Sequence, residues 1–150
     1  MSTLERAIQI AVEAHAGQVD KAGSPYVLHP LRVMLRMKTN DERIVAVLHD
    51  VVEDSRWSLD LLRAEGFSEQ VVRAIDSVTR RGGETYKEFV LRAGLDPIGR
   101  NVKLADLEDN SDLQRIAAPT EQDRARTERY RRAIEQLREQ ETGQPPEGPS

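Results

Sequence analysis

The chain has 150 residues and a formal net charge of −4, from 26 acidic and 22 basic side chains, with no cysteine and only 4% aromatic residues. That length suits one domain with a largely aliphatic core, the missing thiols exclude disulfides and thiolate metal ligands, and the acidic balance argues against a general nucleic-acid binder. No run approaches the ~20 apolar residues that cross a bilayer, and the N-terminus lacks the basic-then-apolar pattern of a secretory leader, so a cytoplasmic protein without a membrane partner is expected.

The apolar spacing is helical nearly throughout, with no convincing run of strands. Leu4, Ile8, Ala11 and Val12 start a first helix that ends near His15, which reads as a packing or capping residue. A turn-rich loop, Lys21 to Tyr26, precedes His29-Pro30, where a second helix with Leu31, Val33, Met34 and Leu35 should begin. A third helix is expected to run through LHDVVED, Leu48 to Asp54, its apolar remainder being Ile44, Val45, Val47, Leu48, Val51 and Val52. On one helix, residues three and four apart share a face, which would stand His49 over Glu53 and Asp50 over both Glu53 and Asp54. Trp57 reads as a surface or interface anchor, and Ser58 and Ser68 as N-caps of two short helices, the second with Val71, Val72, Ile75 and Val78 on one face. Gly82-Gly83 punctuate the chain before a helix over Thr85–Ala93, where Phe89 is assigned to core packing, and Asp96-Pro97 opens another that ends near Asn110. The last helix, 121–139, carries alternating charges and a thin stripe of Ala125, Tyr130, Ile134 and Leu137, and is expected to pack peripherally. Residues 1–140 thus read as one domain, and 141–150, rich in Gly, Pro, Gln and Ser, as a disordered tail.

Acids set into an apolar helix must be paired or bind metal. Taken alone, LHDVVED is as readily a solvated helix end with a satisfied core histidine. Two further segments can complete a site: His29, and Lys103–Asn110, where Asp106 and Asn110 lie one turn apart. Together His29, His49, Asp50 and Asp106 offer two imidazoles and two carboxylates, a donor set for manganese, iron, cobalt or zinc that leaves room for water.

The order of His29, the His49-Asp50 doublet and the distant Asp106 resembles the HD-domain metal-dependent phosphohydrolases. The blocks AHAGQ, DKAGSPYVLHPLRV, AVLHDVVED and VKLADLEDN narrow the resemblance to the hydrolase domain of RelA/SpoT-type proteins, specifically the small stand-alone alarmone hydrolases, over nearly the whole chain before the tail. The resemblance implies an all-α, single HD-domain helical bundle that uses a divalent metal, manganese being expected, to remove the 3′-pyrophosphate from ppGpp or pppGpp. Carried over by position, His29, His49, Asp50 and Asp106 become the metal ligands, and Glu53 and Asp54 the catalytic acidic pair. Asn110 becomes a substrate-side residue, and Lys21 and Lys103 become phosphate-binding cations; Tyr26 reads as a lining residue of the nucleotide pocket or as packing of its loop against the first helix. The chain is too short for a synthetase domain, so degradation without synthesis is expected.

Charge supports the need for such cations: a +2 ion is neutralised by Asp50 and Asp106, so Glu53 and Asp54 leave the site negative, and basic residues must converge to hold a polyphosphate. Arg80, Arg81, Lys87 and Arg115 are further candidates, Arg115 singled out by its closeness to Asn110. Departures from the family pattern fall on the base and 5′-phosphate side, where Asp20-Lys21 replaces Arg-Lys and where Leu107 and Asp112 replace basic residues. Adenine alarmones such as ppApp therefore become reasonable substrates. Removal of the 2′-phosphate of NADPH is an alternative, and a catalytically silent nucleotide sensor is an alternative of another class, disfavoured by the intact Glu53 and Asp54.

Overall fold

The structure, a computed structural model, describes residues 2–141; the expected tail lies, beyond Glu141, outside the described residues. In chain order the helices are α1 (Leu4–Ala14), α2 (Leu28–Leu35), α3 (Asn40–Leu48), α4 (Val51–Asp54), α5 (Leu59–Ala64), α6 (Glu69–Ser77), α7 (Tyr86–Leu95), α8 (Pro97–Asn110) and α9 (Glu121–Glu141), with a 3₁₀ turn at Leu113–Arg115. Among the described residues there is no strand, only an isolated bridge between Val19 and Pro25 that closes the loop before α2. The bundle is all-α, as the spacing predicts.

Helix starts are set by side chains that satisfy otherwise orphaned backbone N–H groups. Ser58 accepts from the Leu61 amide and Ser68 from Val71, while Thr39 and Thr85 each form a reciprocal capping box, with Glu42 and Glu88. Asp96 accepts from the amides of Ile98 and Gly99, with Pro97 just inside the helix. Each cap contributes about 1 kcal/mol.

Helix α3 is the spine: Val45, Ala46, Val47 and Leu48 are fully buried, and the helix packs against α1, α2, α6 and α8. The main core adds Ala7, Ile10, Ala11, Val33, Leu62, Val72, Ile75 and Val102. Val12 and Leu35, expected on inward stripes, are instead exposed, because the buried faces of their helices run through Ala7, Ile10 and Ala11 and through His29, Pro30 and Val33. Trp57, read as a surface or interface anchor, is half-buried and packs against the main core.

A second, smaller cluster joins α9 to α7 and α8 through Val90, Leu107, Ala133 and Leu137, flanked by Tyr86, Leu104, Tyr130 and Ile134. Ala125, assigned to this stripe by spacing, faces solvent. The contact is reinforced by Gln136 and Gln140, whose amides donate to the Lys87 and Leu91 carbonyls of α7.

Candidate active site

The His-Asp doublet lies at a break, not within one helix. Helix α3 ends at Leu48, His49 and Asp50 form a turn, and α4 restarts at Val51. The break turns both side chains toward His29 at the start of α2 and Asp106 in the middle of α8. His29, His49 and Asp50 each bring one ligand atom within 4.8 Å of the others. Asp106 joins them through Oδ1, 2.8 Å from His29 Nε2 and 3.3 Å from His49 Nε2, and Asp50 Oδ2 lies 3.1 Å from His49 Nε2 and 3.8 Å from His29 Nε2. Around a cation with ligands at ~2.1 Å, neighbouring donors sit roughly 3.0–3.4 Å apart. The donor distances run from 2.8 to 3.8 Å and so bracket that spacing.

The tautomers test whether a cation fits. His49 Nδ1 lies 2.6 Å from the Ala46 carbonyl, which only accepts, so this nitrogen carries the proton. His29 Nδ1 is likewise committed to Asp109, at 2.6 Å. Both Nε2 atoms therefore face carboxylates with either a lone pair or a second proton, and two lone pairs against two carboxylates need positive charge between them. A divalent ion supplies it, as do two protons. Accordingly, although burial opposes the charged forms, Asp50 and Asp106 raise His49 well above the ordinary imidazole range, and Asp106 and Asp109 raise His29. Asp106 is held well below the usual carboxylate range against its burial, by Lys103 and both histidines.

Lys103 is turned inward: it is buried, its ammonium donates to Asp106 Oδ2 at 3.0 Å, and it sits 4.6 Å from the centre of the Phe89 ring. Tyr26 and Asn110 also bond to members of the cluster, the tyrosine hydroxyl donating to Asp50 Oδ2 at 2.5 Å and the Asn110 amide to Asp106 Oδ1 at 3.1 Å. These two residues are also walls of a neighbouring cleft of about 370 Å³, whose charged lining is Lys21, Arg115 and Arg126 with Asp20 and Asp112, and to which Tyr130 also contributes. The cleft thus opens beside the four converging donors.

Glu53 and Asp54 end α4 beside this cluster and are exposed. Partial desolvation, with Asp50 nearby, raises both carboxyls above their ordinary range. Glu53 Oε1 accepts the Arg80 backbone N–H at 2.6 Å, so the loop after α6 fixes its direction. Arg92 fixes that loop in turn, with two bonds to Glu84 at 2.7 and 3.0 Å and donations to the Asp76 and Thr79 carbonyls. Of the other cations, Arg80 lies over the Tyr86 ring and Arg81 pairs with Asp76. Asp20 is turned into its own loop, accepting from Ala22 and Ser24. His15 is a buried helix-end residue bonded to Gln18.

Four positions at the cleft and the cluster were not among the candidate site residues read from the sequence. Arg126 and Tyr130 line the cleft from α9, a helix that spacing placed at the periphery, and nothing in the local sequence marks them. Asp109 and Arg32 were legible in principle, being three residues from Asp106 and His29 on the same helical faces.

A helical bundle that gathers a lone histidine, a His-Asp doublet at a helix break and a distant aspartate defines an HD-domain fold. A solved structure described as a metazoan ortholog of SpoT that hydrolyzes ppGpp and plays a role in starvation responses superposes with a TM-score of 0.74, covering 93% of this chain and 85% of that one at 23% identity. The chain is 33% identical over 119 residues, 71% of its length, to the guanosine-3′,5′-bis(diphosphate) 3′-pyrophosphohydrolase of Aquifex aeolicus. It is 34% identical over 137 residues, 83% of its length, to the bifunctional (p)ppGpp synthase/hydrolase RelA of Mycobacterium tuberculosis. The chain belongs to the RelA/SpoT type of HD-domain proteins. It spans 17% and 18% of the length of these two relatives. A comparison with protein-family models returns no match.

Proposed function

We propose that this protein is a metal-dependent hydrolase that removes the 3′-pyrophosphate from alarmone nucleotides, releasing pyrophosphate and a nucleoside 5′-di- or triphosphate. The observation that carries the reading is the pair of imidazoles whose Nδ1 atoms are both committed elsewhere, leaving two Nε2 atoms and two carboxylates to converge beside a cleft whose lining carries Lys21, Arg115 and Arg126 along with Asp20 and Asp112. His29, His49, Asp50 and Asp106 would hold a divalent cation, manganese by the expectation for this family. When bound, that cation supplies Lewis acidity, acidifying water and drawing electron density from a phosphoryl oxygen.

The remaining work falls to side chains of this chain. Lys21, Arg115 and Arg126 offer positive charge to the substrate's phosphates within the cleft, and Tyr26 and Asn110 span the boundary between cleft and donor cluster. Glu53 and Asp54 orient the attacking water and take its proton; their raised carboxyls suit that exchange near neutrality better than an ordinary acid would. Lys103 balances Asp106, not substrate. With Asp20 committed to its own loop, no cation stands at that point of the rim, which supports acceptance of adenine as well as guanine alarmones.

The test is chromatography of products after incubation with Mn²⁺ and ppGpp, ppApp or NADPH, each with an EDTA control. Metal-dependent pyrophosphate release from either alarmone is expected. Phosphate release from NADPH alone would replace the substrate, and no turnover of any of the three would sink the hydrolase reading in favour of a sensor.

A further inference from the structure

Asp109 is 1% exposed, yet it is not among the converging donors. Its Oδ2 lies 2.6 Å from His29 Nδ1, on the side of the ring away from Nε2. Arg32 closes on the same carboxylate as a fork, Nε to Oδ1 at 2.8 Å and Nη2 to Oδ2 at 3.0 Å. Arg115 adds a third hold from the cleft, donating to the Asp109 carbonyl at 2.6 Å with Nη1 3.5 Å from Oδ1.

We propose that Asp109 is a positioning residue for the metal centre, holding His29 as its Nδ1–H tautomer so that Nε2 presents a lone pair to the cation, while Arg32 and Arg115 hold Asp109. The role rests on the reading of His29 as a ligand. Guanidinium groups only donate, so a carboxylate gripped by Arg32 is an ionised acceptor on both oxygens, and a deprotonated Nδ1 at 2.6 Å would set lone pair against lone pair. The proton is thereby confined to Nδ1 whenever Nε2 binds metal, and the ring plane is fixed with it. Outer partners of this kind typically change metal affinity by ~10–100-fold when removed. His49 reaches the same end through the Ala46 backbone carbonyl, which no side-chain substitution removes. It therefore serves as an internal reference.

The experiment compares wild type with Asp109→Ala and Asp109→Asn by calorimetric titration with Mn²⁺, and follows the imidazole N–H protons of the zinc-loaded proteins by NMR. In wild type, slowly exchanging Nδ1–H signals are expected from both His29 and His49. Asp109→Ala should lose the His29 signal, keep that of His49 and bind Mn²⁺ ~10–100-fold more weakly. Asp109→Asn, which keeps the shape and an acceptor oxygen but not the charge, should recover the signal and part of the affinity, and it carries the test if the alanine variant does not fold. Variants that match wild type in affinity and in the His29 signal would overturn the role alone. A wild-type protein that binds neither Mn²⁺ nor Zn²⁺ would overturn the metal reading, and the role with it.

Discussion

At the scale of single residues, the two acids at the end of α4 are separable from the ligands by what holds them. Glu53 is tied to a backbone amide and Asp54 sits beside it, whereas Asp50 and Asp106 face imidazoles. Glu53→Gln and Asp54→Asn preserve shape and remove only the exchangeable charge. Each is expected to lower kcat by about 10²–10⁴-fold, the usual worth of a positioned acid or base, while Mn²⁺ affinity measured calorimetrically stays within about threefold of wild type. Asp106→Ala is expected to lose both. Equal turnover in all three variants would defeat the mechanism. The sequence was most informative at this scale, because an HD doublet and a distant aspartate in fixed order pick out side chains that the fold brings together. For Lys103, whose family position suggests a phosphate, the structure shows a buried ammonium paired with Asp106 beside Phe89, an environment that local sequence does not reveal.

At the scale of elements, the break between α3 and α4 was hidden from sequence because apolar residues continue through it: Val47, Leu48 and Val51 are all fully buried, with no Gly or Pro to mark the turn. Helix α9 packs peripherally as its thin apolar stripe predicts, through the smaller cluster with Leu137 fully buried, but the sequence did not show that it carries Arg126 and Tyr130 to the cleft. Leu137→Ala is expected to cost about 2–4 kcal/mol in denaturant unfolding. By loosening α9 it should raise KM for the nucleotide more than it lowers kcat, with Mn²⁺ affinity unchanged; a pure kcat effect would separate α9 from the cleft. The loop after α6 offers a pH test. Glu84, bonded to Arg92, titrates at about 2 against 4.5 ordinarily. Its contribution is therefore complete above about pH 4.5 and lost as pH falls toward 2. Amide protection in residues 79–85 should fall across that window in wild type and be weak at every pH in Arg92→Leu.

At the scale of the whole molecule, the converging donors join parts of the chain that are far apart in sequence. His29 comes from α2, His49 and Asp50 from the α3–α4 turn and Asp106 from α8. A cation bound by all of them stabilises the folded state alone, since the unfolded chain has no such site, by about 2.7 kcal/mol at 100 times Kd. For a chain of this size that is a rise in Tm of about 5–10 °C. The metal-free protein meets the same need for positive charge with protons. Because Asp50, Asp106 and Asp109 raise the folded imidazoles above their ordinary value of 6.5, that contribution is complete below about pH 6.5 and fades as pH rises through the raised values. Metal competes with those protons, so its affinity rises over the same interval. The two effects act in one direction: metal-free protein should lose Tm between pH 6.5 and 9, and the increment given by a fixed Mn²⁺ concentration should grow. Thermal denaturation at both ends of that range, with and without Mn²⁺, measures this directly. Asp106→Ala should show no increment at either pH, and an equal increment in that variant would place the bound cation somewhere other than among these donors.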